Sequence, residues 1–172
     1  MRTAAARGGR VPETSAATSQ SARVRYFLDT EYNGTGGALL SLALVPDDGD
    51  DLYLTFQTDE PISAWVERHV VPYLDTVPER LTCPRLQRAD AVDALWRYLR
   101  GDDDPLIVAD WPEDIAQFCN LLITGPGQMA DLRNLSFRLI SLAGFSTAAN
   151  SKVPHNALHD ARSLRDHILS LE

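Results

Sequence analysis

The chain has 172 residues, 44% of them hydrophobic and 23% charged, enough for one ordinary domain with a single core and little more. No apolar run approaches the roughly 20 residues that span a bilayer, so the composition speaks against a membrane protein. The formal net charge of −8 argues against a protein that coats nucleic acid through a broad basic face, but not against one that holds a strand end through local cations.

Residues 1–22 are rich in Ala, Ser, Thr, Gly and Arg, with no apolar periodicity and no secretory-type hydrophobic core, and are expected to form a disordered tail ahead of a domain over 23–172. From Val24 to Leu28 a β-rich run ends on Asp29, and Asn33-Gly34-Thr35-Gly36-Gly37 supplies turn chemistry after it. Leu39 to Val45 and Leu52 to Phe56 make two further strands around a turn at Pro46 to Asp51, as in an antiparallel meander. Apolar residues at helical spacing, Ile62, Trp65, Val66 and Val70, predict a helix over Pro61 to Leu74, and a second covers Ala89 to Leu99.

Pro105 to Ala109 reads as a short buried strand, and Pro112 opens a helix to Leu122, proline suiting the first helical turn. Gly125-Pro126-Gly127 breaks the chain, a fifth strand is expected near Met129 to Leu132, and a helix over Leu135 to Ala143. The last helix, Ala157 to Leu171, carries Leu158, Ala161, Leu164, Ile168 and Leu171 along one face and should shield the sheet. Cys83 and Cys119 stand far apart, without metal-type or redox-type spacing, which suits buried thiols of a reducing, cytoplasmic compartment.

Three places carry candidate chemistry. Asp29 and Glu31 end the first strand, and a period of two points both carboxylates to one side, where they can ligate a hard divalent cation. In Ala109-Asp110-Trp111-Pro112-Glu113-Asp114, Asp110 closes a strand and Asp114 lies in the first turn of a helix. Strand ends gather ligands, whereas first-turn acids commonly serve only the helix dipole, so both aspartates remain candidates. In the third, His155 precedes Asp160 by five residues across a loop-to-helix junction, and its imidazole can take a proton near neutral pH. Tyr32 and Trp111 flank these acids and could stack on a base or belong to the core. Arg162 and Arg165 could meet phosphates or form a solvated helix face.

This order, Asp-x-Glu, then a strand–helix Asp, then His with Asp five residues on, resembles the DEDDh 3′–5′ exonuclease superfamily, which includes ribonuclease T and proofreading exonucleases. The likeness is closest to the small 3′–5′ exoribonuclease family typified by mycobacteria, carried by Asp29-Thr30-Glu31-Tyr32 and covering Val24 to Glu172. The resemblance implies an α/β, ribonuclease H-like fold: a mixed five-stranded sheet, antiparallel in its first three strands, flanked by helices. It implies catalytic Asp29, Glu31, Asp114 and Asp160 as ligands of two Mg2+ or Mn2+ ions, with His155 as general base; Tyr32 and Trp111, from their place beside these acids, are the candidate substrate-binding residues. Asp114 is preferred to Asp110 because the family's second motif places its Asp inside the helix with a large apolar residue four later, here Phe118. Trp111-Pro112-Glu113 departs from the Asn or aromatic residue that many relatives carry before that Asp. The implied substrate is the 3′ end of single-stranded or overhanging RNA, with DNA ends and a catalytically silent binding module as the alternatives. Relatives are commonly dimers, so a homodimer is among the expectations.

Overall fold

A computed structural model describes residues 23–172; the tail expected over 1–22 lies outside them. In chain order the elements are β1 (Arg25–Tyr32), β2 (Leu39–Pro46), β3 (Leu52–Thr55), α1 (Ala64–His69), α2 (Arg88–Leu99), β4 (Leu106–Ala109), α3 (Pro112–Leu122), β5 (Ile123–Gly125), β6 (Gln128–Met129), β7 (Ser136–Leu139), α4 (Thr147–Asn150) and α5 (Ala157–Ser170). Five of the strands form one mixed sheet in the order β3-β2-β1-β4-β7. The first three are antiparallel, with Phe27 opposite Val45 and Leu42 opposite Leu54, while β1–β4 and β4–β7 are parallel.

Alternation along β1 sorts its side chains between two cores. Tyr26 and Leu28 pack with Ala91, Leu95 and Leu99 of α2 and with Phe118 and Leu121 of α3. Phe27 packs on the other face with Leu158, Ala161 and Leu164 of α5, and both faces are dry because a central strand covered on each side excludes water. A smaller cluster joins Leu40 to Val66, Val70 and Leu74.

Three expectations need correction. The helix over Pro61 to Leu74 is cut to Ala64–His69 and followed by a 3-10 turn at Val71–Tyr73, because Pro72 lacks an N–H and its ring clashes with the preceding turn's carbonyl. The helix over Leu135 to Ala143 does not form. Ser136–Leu139 is the fifth strand of the sheet, paired in parallel with β4 through Ile107 opposite Phe137 and Ala109 opposite Leu139. A free edge on β4 requires a partner for its N–H and C=O groups, and that long-range demand overrides a weak local helical pattern. The strand expected at Met129 to Leu132 is only Gln128–Met129, paired with β5 in a separate hairpin, since Gly127 at φ 67° makes the tight turn that sends the chain back on α3's end.

Candidate functional site

Register creates the site. β4 pairs with β1 only through Arg25, Tyr26 and Phe27, so Asp29, Thr30 and Glu31 run on beyond its end and leave a crevice at the carboxyl ends of the two parallel strands, where ligands of such sheets collect. Asp29 and Glu31 share the face of Phe27, toward α5, whereas Thr30 turns to the α3 side. The resulting cleft of about 530 Å³ is lined by Asp29, Glu31, Tyr32, Asp110, Trp111, Asp114, His155 and Asp160. All seven expected site residues, and the alternative Asp110, therefore meet in one place; Arg162 and Arg165 do not, lying instead against Asp51.

Each acid is held by a local device. Asp114, only 3% exposed, accepts hydrogen bonds at one oxygen from Thr30 N (3.2 Å) and Thr30 Oγ1 (2.6 Å), which lock α3 to β1. Asp110 accepts a hydrogen bond from the buried Thr147 hydroxyl, tying β4's end to α4. Asp160 is 4% exposed; its Oδ2 accepts from His155 N at 3.2 Å, and its buried Oδ1 has no hydrogen-bond partner among the described residues. Buried carboxylate oxygens are rarely left orphaned, so this atom fits a position awaiting a cation. One oxygen or nitrogen from each of Glu31, His155 and Asp160 lies within 4.8 Å of the others, close enough for one divalent cation to reach all three.

Crowding shapes the electrostatics. Burial, then the charges of Asp114, Asp160, Glu31 and Asp110, holds the Asp29 carboxyl well above the ordinary range. Burial raises Glu31 to about 8, with Asp160 and Asp114 adding to it. Asp114 is raised to about 7 by burial, partly offset by the Thr30 hydrogen bond, and Asp160 to about 6 by burial, partly offset by the nearby Ser151 side chain and by the His155 N–H. A set of acids that resists ionisation becomes a set of anions once cations share the cleft.

His155 sits at φ 61°, a left-handed backbone costly for a non-glycine residue. The next residue explains how it is kept there. Asn156, fully buried, caps α5 by accepting from Leu158 N (3.1 Å) and His159 N (3.4 Å), while its Nδ2 donates to Tyr73 O at 2.7 Å. The imidazole packs edge-on against Trp65, ring centroids 5.2 Å apart. Burial and then the neighbouring His69 push its pKa down, leaving a neutral ring that can accept a proton at neutral pH.

Trp111 is 57% exposed and donates from Nε1 to Tyr32 Oη at 3.2 Å, so it stands at the cleft's mouth rather than in the core. Sequence reasoning missed Thr30, Trp65 and Thr147. Thr30 carried no signal because its role depends on α3 packing across the sheet. Trp65 read as part of an apolar helix face, yet it is 54% exposed and walls the cleft. Thr147 follows Ser146, whose side chain caps α4, and that Ser-Thr capping signal was obscured by extending helix into the segment before it. No helix among the described residues is long and apolar enough to cross a membrane. No family model matches this sequence, and no curated protein matches it significantly.

Proposed function

We propose that this chain is a metal-dependent 3′–5′ exonuclease with a ribonuclease H-like fold, removing nucleoside 5′-monophosphates from single-stranded RNA ends. The observation that carries the reading is the convergence of Asp29, Glu31, Asp114, Asp160 and His155, drawn from β1, α3, α5 and the α5 entry loop, on one open cleft. Support also comes from the mixed five-stranded sheet whose first three strands are antiparallel, as the resemblance implies. RNA is chosen over DNA on that resemblance.

Asp29, Glu31, Asp114 and Asp160 would hold two Mg2+ or Mn2+ ions, which when bound supply Lewis acidity and a water acidic enough to ionise near neutrality. His155, neutral and half-buried at the cleft's edge, takes the proton from the attacking water as general base. Its left-handed backbone and the hydrogen bond from its N–H to Asp160 fix the ring's place relative to the carboxylates. Trp111 and Tyr32 offer exposed and half-exposed aromatic surface on one side of the cleft and Trp65 on another. Stacking on such rings grips the last bases without reading their identity.

The test is incubation of the full chain with 5′-labelled single-stranded RNA and its DNA counterpart, in manganese, magnesium or EDTA, beside an Asp160→Ala variant. A ladder shortening from the 3′ end, lost with EDTA and with the variant, is the expected result. RNA that stays bound and full-length under every condition would overturn the enzyme reading and leave a binding module.

A further inference from the structure

The carboxylate cleft does not end at His155. That residue also lines a second cavity, of about 410 Å³, together with Tyr73 and Lys152. Lys152 in turn lines a third, of about 400 Å³, where Arg80, Arg162 and Arg165 meet it. Shared walls thus join an acidic cleft to a cationic one.

The third cleft is built rather than incidental. Asp51, with its side chain 5% exposed, accepts from Arg162 Nε at 2.9 Å and draws Arg165 Nη1 to 3.9 Å. Arg165 also bonds Asp166 through Nε at 2.9 Å. Buried Asp51 therefore fixes the Arg162 guanidinium and Asp166 holds that of Arg165, while Arg162 Nη1 makes no hydrogen bond among the described residues. Lys152, the chain's sole lysine, is exposed and joins none of the ion pairs among the described residues. Four cationic side chains against Asp51, Asp166 and Arg80's partner Asp50 leave this cleft with one excess positive charge in a chain whose net charge is −8. Pre-oriented guanidinium and a free ammonium are the groups that bind phosphate oxygens.

We propose that the cleft of Arg80, Lys152, Arg162 and Arg165 binds backbone phosphates of a nucleic-acid strand whose 3′ end occupies the carboxylate cleft. This rests on the nuclease reading above. Tyr73, 43% exposed on the connecting cavity, gives an intervening base a ring to stack on. A short strand reaches only the carboxylates, whereas a longer one also reaches the cations, so affinity depends on length.

Arg80 and Lys152 can be reversed without disturbing buried Asp51, since among the described residues Arg80 pairs only with the exposed Asp50, at 3.3 Å. The measurement is fluorescence anisotropy of the full chain with 5′-fluorescein-labelled single-stranded RNA, a dinucleotide and an oligomer of about ten residues, with Ca2+ as the divalent ion at low salt. The Arg80→Glu/Lys152→Glu variant should bind the longer RNA at least tenfold more weakly, with a salt slope shallower by about 1.4 for two lost phosphate contacts. Dinucleotide binding should not move, and Arg80→Lys/Lys152→Arg should behave as wild type. Unchanged affinity and slope for the longer RNA in the charge-reversed variant, or a wild type that binds both lengths equally, would overturn the proposal. Cleavage with manganese is scored separately: weakened long-RNA binding without any cleavage sinks the nuclease reading alone, and cleavage with no effect of charge reversal sinks this one alone.

Discussion

Replacing Glu31 with glutamine should stabilise the metal-free protein, and by an amount set by the pH. The folded chain raises the Glu31 carboxyl from its ordinary 4.5 to about 8. A folded-state value above the unfolded one means that the stability this group contributes is complete below about 4.5 and is lost as pH rises through about 8. At 1.36 kcal/mol per pH unit the full separation corresponds to about 5 kcal/mol. Glu31 shares its protons with Asp29, Asp114 and Asp160, and the open cleft admits solvent, so roughly 2 kcal/mol should remain measurable. For a chain of this size that is a rise in Tm of about 4–8 °C near pH 8 in EDTA, shrinking to less than about half near pH 5, where the folded wild type is already protonated. Thermal melts followed by circular dichroism, for wild type and Glu31→Gln at both pH values, measure it. Saturating manganese should reverse the order, because wild type alone keeps this ligand. A variant less stable than wild type near pH 8 in EDTA, or an effect equal at the two pH values, would show that crowding of anions does not set the energetics of this cleft.

Two further substitutions probe the supports of the site. Asn156→Ala removes the cap of α5 and the bond to Tyr73 O; it should cost about 1–3 kcal/mol by denaturant titration and weaken manganese binding as well, since His155 loses the neighbour that holds its backbone. Thr30→Val keeps the strand but deletes the hydroxyl bonded to Asp114 at 2.6 Å. The Asp114 carboxyl should then rise further above about 7, and manganese affinity near neutral pH, measured by calorimetry, should fall several-fold while affinity at higher pH recovers.

What the residues alone determined about this protein is local. Asp29 and Glu31 fall on one side because a strand alternates, α3 begins at Pro112 because proline suits a first turn, and α5 shows its apolar stripe at Leu158, Ala161 and Leu164. The first three strands were legible for the same reason, as each is bounded by turn residues. Other features depended on partners distant in sequence. Ser136–Leu139 became a strand only because β4 offered it a free edge, and Trp65 faces the cleft because Val66, Val70 and Leu74 take the apolar contacts beneath α1. The Thr30–Asp114 and Thr147–Asp110 bonds join residues far apart in the chain, and no periodicity encodes such a meeting. Whether spaced carboxylates are a solvated surface or a crowded, partly buried cluster is decided by the same assembly. Burial and mutual repulsion exist only once β1, α3 and α5 are packed together.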